Sequence, residues 1–283
     1  VSPTRQLTPR TLDRILATDE FLALHIARLV LQEDGIDVVS VDARSIIVTT
    51  SEHGNARPLP EKSAVRVRHD LAPALAAHEV VLVQGFVGRT EDGATTTMGK
   101  ESSNLTATLL GALLGATEVV IYTDVEGVRS ADPHLCDGTV LRPHLTYAEA
   151  RTAAQNGLKL LYPTMIEPAE EAGLRIRIAH AARPDGESTV IDTTTGPDAA
   201  AACEPIVILT EAEQTVEVRT VFVDTTTWIG AAAQVLARVQ SATPCDVHTD
   251  HATRTAVLRV PQAAAYDVGQ HLHNALFTTP HRS

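Results

Sequence analysis

The 283-residue chain is poor in cysteine, short of positive charge and without a long apolar run. Its three cysteines, Cys136, Cys203 and Cys245, are scattered and odd in number. That argues against a disulfide framework and fits a reducing, cytoplasmic setting. No two of them have zinc-ligand spacing. No uninterrupted apolar stretch approaches the ~20 residues that span a bilayer, so no membrane partner is expected. Val1-Ser-Pro-Thr-Arg-Gln is not followed by an apolar segment and does not read as a signal peptide. Lys and Arg number 23 against 35 Asp and Glu, giving a formal charge of −12. Nonspecific nucleic-acid binding needs a basic surface, so nucleic acid is not an expected partner. An anionic ligand would need a local positive pocket or a metal ion. The length suits one large or two modest domains, and the 44% apolar content is ordinary for a globular chain.

Periodicity supplies the elements. Leu12, Ile15, Leu16, Leu22, Ile26, Leu29 and Val30 recur at helical spacing over residues 11–32, and Asp34-Gly35 ends that helix. Residues 36–43 and 45–50 read as short strands, 52–60 as a loop, and 80–83 and 118–125 as buried strands. An apolar helix runs over 105–114. Residues 146–155 and 164–172 read as helices, and 174–179 and 188–192 as strands. Strands alternating with helices indicate a layered α/β domain over residues 1–192. Residues 193–204 read as a linker. Beyond it, strand 214–224, helix 228–239, a hairpin of 245–249 with 255–260 and helix 263–276 suggest a small α+β, ferredoxin-like unit over 205–283. No short internal repeat is found.

The chemistry concentrates around Thr95-Thr-Thr-Met-Gly99-Lys-Glu-Ser-Ser-Asn104, between a hairpin and a helix start. Open backbone N–H groups and the positive dipole end suit an anion there. The competing reading is an ordinary polar loop capped by Ser102 or Ser103.

Four segments in order resemble the aspartokinases of the amino-acid kinase family. They are Leu16-Ala-Thr-Asp-Glu20, Gln84-Gly-Phe-Val-Gly-Arg-Thr-Glu-Asp-Gly-Ala-Thr-Thr-Thr97, Tyr122-Thr-Asp-Val-Glu-Gly-Val-Arg-Ser-Ala-Asp-Pro133, and Leu145-Thr-Tyr-Ala-Glu-Ala150 followed by Asn156-Gly-Leu-Lys-Leu-Leu-Tyr-Pro163. The resemblance implies a three-layer α/β/α sandwich with an ACT-type regulatory tail. It implies transfer of the ATP γ-phosphoryl group to the side-chain carboxylate of aspartate or a related amino acid, with Mg²⁺, in the biosynthesis of lysine, threonine and methionine. Thr123, Asp124, Arg129 and Lys159 fall on the nucleotide side. Glu20, Lys100 and Ser103 fall on the amino-acid side, and Lys100, Ser103 and Asn104 stand in the catalytic loop. A homodimer or a partner kinase subunit is the expected assembly. For several of these residues an ordinary structural role competes: Thr123, Asp124 and Ser103 as caps, Lys159 as a helix-end lysine and Glu20 as a surface residue.

The departures are specific. The family's substrate loop reads Gly-Arg-Gly-Gly-Ser-Asp; here it is Gly99-Lys-Glu-Ser-Ser-Asn104. Lys100 keeps the charge but loses the two-pronged geometry of arginine. Glu101 adds bulk and a negative charge, and Asn104 loses one. The family's opening Lys-Phe-Gly-Gly-Thr-Ser, which grips the transferring phosphate, has no counterpart in this chain. An upstream start, a partner's strand or a non-catalytic, regulatory or assembly subunit would each account for that. His248, His251, His271 and His273 form no convincing metal pattern. Trp228 is expected to pack the small unit.

Overall fold

A computed structural model describes residues 7–193, 204–212, 215–239 and 246–277. Most of the expected linker lies outside these residues. The chain packs as two compact units. Of the described residues, those up to 119 with 164–175 form the first, and those of 120–163 with those from 176 onward form the second.

In the first unit, α1 (Pro9–Glu33) starts on Thr8, whose hydroxyl accepts the Thr11 N–H, with proline in the first turn. It is followed by β1 (Val38–Ser40), α2 (Ala43–Ile46), α3 (Pro60–Arg66), a π-helical turn (Val67–Leu71) and α4 (Ala72–Ala77). β2 (Val80–Leu82) pairs in parallel with β1. β3 (Val87–Arg89) and β4 (Thr95–Thr97) form a hairpin, and α5 (Ser102–Leu114) follows it. The core gathers Ile46, Ile47, Val67, Leu71, Val87 and Met98.

One expectation fails in this unit. The strand expected over 45–50 is replaced by α2 and by isolated bridges at Val48 and Thr49. Asp42 decides this, because its carboxylate accepts the Arg44 N–H at 2.9 Å and caps the helix. α1 forms as the period indicates, but with the opposite face inward. Its buried residues are Asp13, Ala17 and Leu24, and the helix packs on β4 and β1. The aliphatic row is open, with Leu22 59%, Ile26 54% and Leu29 54% exposed.

In the second unit, β5 (Glu118–Thr123), β6 (His144–Thr146), β7 (Arg175–His180) and β8 (Arg183–Asp192) form one sheet in the order β5-β7-β8-β6. α6 (Tyr147–Gln155) begins with a capping box between Thr146 and Glu149. α7 (Pro163–Ala172) returns to the first unit.

The C-terminal part of the second unit comprises β9 (Ile206–Ala212), β10 (Thr215–Val221), α8 (Thr225–Arg238), β11 (Asp246–Asp250), β12 (Thr255–Pro261) and α9 (Gln262–Phe277). Its sheet is antiparallel throughout, in the order β11-β12-β10-β9. The expected βαββα order is present from β10 to α9, with one more strand before it. β9 takes the edge beside β10 and was not expected. Trp228 is wholly buried, and its Nε1–H donates to Thr220 Oγ1 at 2.9 Å. Ala131 and Cys136, from the long loop after β5, share this core with Val218, Leu258 and Leu272. Burial pushes the Cys136 thiol up to about 11, with Asp132 and Asp137 adding to the effect.

Candidate active site

In the first unit, the GF segment is locked against the start of α5. A Cβ on Gly85 would stand 2.7 Å from Ser103 Cα, so only glycine allows this approach. Phe86 takes a left-handed φ of 69°. Its N–H reaches Thr106 Oγ1 at 3.3 Å, and its carbonyl accepts the Met98 N–H at 2.9 Å. The turn between β4 and α5 carries Lys100, and the first turn of α5 carries Ser103 and Asn104. Lys100 and Ser103 are exposed and Asn104 is half-buried.

The cap from Ser102 or Ser103 that the competing reading invokes does not form. The cap position is Glu101, at φ 61° and ψ 17°, and its side chain makes no cap bond. Ser102 Oγ instead donates to the Gly99 carbonyl at 2.7 Å. The first N–H groups of α5 therefore lack a side-chain cap and are suited to an anion. Glu101 occupies a conformation that glycine adopts freely and other residues adopt at a cost.

Asp13 is the buried residue that sequence reading overlooked. It is fully inaccessible. It accepts from Thr97 Oγ1 at 2.6 Å, His53 Nδ1 at 2.6 Å and the Gly54 N–H at 3.3 Å. A carboxylate out of water needs such donors. They tie α1 to the end of β4, just before the Gly99 turn. A charged residue in the helical period, four before Ala17, was the available sign. Glu20 lies seven residues on, two turns along the same side of α1, and is half-buried. Burial raises its carboxyl pKa, and Asp19 raises it further.

In the second unit, Thr123, Asp124, Arg129 and Lys159 line one cavity of about 370 Å³. Asp132, Pro133 and His134 line it too, together with Val207, Ile208 and Leu209 of β9. Thr123 closes β5, and its Oγ1–H donates to Asp124 Oδ1 at 3.0 Å. The end of a sheet strand is where α/β folds place ligands. Lys159 is exposed at the cavity rim. Arg129 is partly engaged, with its guanidinium on Thr139 Oγ1 at 2.8 Å, on the Thr139 carbonyl at 2.6 Å and 3.7 Å from Glu126. It braces the loop as well as lining the cavity. Gly157, at φ +94°, passes so close to β9 that a Cβ would stand 2.8 Å from Thr210 Oγ1.

The four residues expected on the nucleotide side are thus gathered in one cavity. Lys100, Ser103 and Asn104 stand about the start of α5 in the other unit, and Glu20 lies on α1.

Residues 3–180 match the sequence model of the Amino acid kinase family. The chain belongs to that family. Within it, the chain is 34% identical over 173 residues to aspartokinase 1 of Bacillus subtilis, covering 61% of this chain and 42% of that protein. It is 33% identical over 192 residues to the aspartate kinase of Pseudomonas fluorescens, covering 68% and 45%. The chain spans less than half the length of these relatives. Among solved structures, it is similar to Escherichia coli aspartokinase III in complex with aspartate and ADP. That match has a TM-score of 0.67 at 23% identity and covers 95% of this chain and 61% of that one. Clostridium acetobutylicum aspartate kinase matches with a TM-score of 0.66 at 13% identity, over 93% and 75%. At these identities the structural likeness establishes the α/β amino-acid kinase fold. Among the described residues, no helix is long and apolar enough to cross a membrane.

Proposed function

We propose that the chain serves aspartokinase chemistry, the transfer of the ATP γ-phosphoryl group to the side-chain carboxylate of aspartate. The observation that carries this reading is the convergence of Thr123, Asp124, Arg129 and Lys159 on one cavity. The aspartokinases among its relatives, and the aspartate and ADP bound by Escherichia coli aspartokinase III, support the choice of substrates.

In this reading a carboxylate oxygen of aspartate bonds to the γ-phosphorus. The bond from that phosphorus to the β,γ-bridging oxygen breaks, and ADP leaves. Two anions must meet, so charge neutralisation and positioning dominate the catalysis. Lys159 and Arg129 supply the positive charge beside the nucleotide. Thr123 offers a hydroxyl to the ribose or base. Asp124 and Asp132 are cavity carboxylates of the hard-oxygen kind that would hold Mg²⁺, which would supply neutralising charge to the nucleotide. Lys100, Ser103 and Asn104 form the amino-acid loop. In this proposal Lys100 holds the substrate carboxylate as a point charge, and Glu20 pairs with its amino group.

The same reading assigns the α/β part to a three-layer α/β/α sandwich and the ferredoxin-like tail of 205–283 to an ACT-type regulatory domain. The homodimer belongs to the same proposal. Purified chain, ATP, Mg²⁺ and aspartate should yield an acyl phosphate that hydroxylamine traps as a hydroxamate. No hydroxamate from aspartate or related amino acids, with ADP still bound, would leave the non-catalytic subunit as the better reading.

A further inference from the structure

The cavity wall depends on a contact that none of the expected site residues makes. Ser130 sits between Arg129 and Ala131, both in the wall, yet its own side chain is fully buried behind them. Its hydroxyl lies 2.9 Å from His273 Nε2 on α9 and accepts the Val140 N–H at 2.8 Å. Its carbonyl accepts the Val207 N–H of β9 at 2.8 Å. His273 is 2% exposed and stacks on Phe277 at 4.6 Å. Three residues earlier on α9, and so near the same face, Gln270 Oε1 accepts the Asp137 N–H at 2.6 Å. The loop bearing Arg129, Asp132 and His134 is thus fastened to α9 at Ser130 and at Asp137, and to β9 at Ser130 as well.

We infer that His273 is a positioning residue of the nucleotide cavity, acting through the Ser130 hydroxyl to hold the Arg129–His134 loop in its ligand-ready form. The inference rests on the nucleotide reading of that cavity. A loop without this anchor populates other conformers, and apparent affinity falls by the fraction that remains competent. A lost buried hydrogen bond of this kind translates into about a five- to tenfold weaker complex. A second buried polar bond, Trp228 Nε1–H to Thr220 Oγ1, joins α8 to β10 without using a loop atom and serves as the control.

The test is calorimetric titration of the full chain with Mg²⁺ and ADP. His273→Leu keeps the core filled and removes the bond; Ser130→Ala removes it from the loop side. Each should weaken ADP about five- to tenfold, and the double variant should be no weaker than either single one. His273→Gln, which restores a polar atom at similar reach, should stay within about twofold of the parent. Thr220→Val should lower the melting temperature and leave ADP binding unchanged. Exchange of the Ser130 and Val140 amides should speed up in His273→Leu without nucleotide. If His273→Leu and Ser130→Ala bind ADP like the parent, the positioning role is overturned while the nucleotide reading stands. Equal weakening by Thr220→Val also overturns it, because general loosening of the sheet would then suffice. A parent chain that does not bind ADP removes the nucleotide reading and the inference with it.

Discussion

Glu101→Gly offers a test of the acceptor loop that separates backbone from charge. Glu101 holds φ 61° and ψ 17° without a cap bond in return. A left-handed conformation costs an L-residue about 1–2 kcal/mol. Glycine removes that cost but gives the unfolded chain about 0.4–1 kcal/mol of extra freedom. The net expectation is a gain of ~0.5–1 kcal/mol, or a rise of about 2–4 °C in Tm for a unit of this size. Glu101→Ala is the necessary companion, since it removes the carboxylate and keeps the strained φ. Calorimetric melting should place Glu101→Gly above both the parent and Glu101→Ala, with the latter two within ~0.5 kcal/mol. Any kinetic gain from losing the negative charge should appear equally in both variants, as a lower KM for aspartate in the hydroxamate assay. Equal melting temperatures for Glu101→Gly and Glu101→Ala would refute the argument from strain.

Other outcomes are as definite. Lys100→Arg should restore two-pronged carboxylate binding and lower the aspartate KM by about three- to tenfold with little change in kcat; an unchanged KM would remove Lys100 from the substrate contact. Asp13→Ala should destabilise the first unit by about 2–3 kcal/mol in denaturant melts, because the Thr97 and His53 donors lose their acceptor. A loss under ~0.5 kcal/mol would mean that water replaces it. Gly157→Ala should lower Tm and weaken ADP together, since its Cβ meets Thr210 beside the cavity; normal ADP affinity would separate the two effects. Glu217 faces Arg259 across β10 and β12, and the hydrogen bond from Arg259, followed by that from Arg219, holds its carboxyl below the ordinary value of 4.5 against the opposing effect of burial. Its unfolded form binds protons first, so its contribution is full above 4.5 and disappears as pH falls through the folded value. Glu217→Gln should therefore flatten the loss of stability as pH falls below the ordinary value of 4.5.

How far the sequence was readable depended on the kind of signal. Apolar periodicity located α1, α5, α8 and α9, because burying one face requires that spacing. It did not say which side of α1 the rest of the unit would occupy. The chosen side holds Asp13 and Ala17, since hydrogen bonds to Thr97 and His53 offset burial of the charge there. The strand expected at 45–50 was lost to a local cap at Asp42, which acts over two residues and outweighs a short β-prone run. β9 went unseen because it follows an unpatterned segment and only pairing with β10 defines it. The nucleotide-side residues were legible as loop motifs, and the structure gathers Thr123, Asp124, Arg129 and Lys159. Their supports were not legible. Ser130 and His273 stand 143 positions apart, and nothing in either neighbourhood signals the contact.

The open aliphatic row of α1 also bears on calorimetry. Heat capacity rises on unfolding because apolar groups enter water, and groups already in water contribute nothing to that rise. Leu12, Ile15, Leu22, Ile26, Leu29 and Val30 are each at least 40% exposed in the folded chain. Much of the apolar content of the longest helix is therefore hydrated before melting begins. The chain should show a smaller heat-capacity increment, and a shallower denaturant slope, than its composition implies.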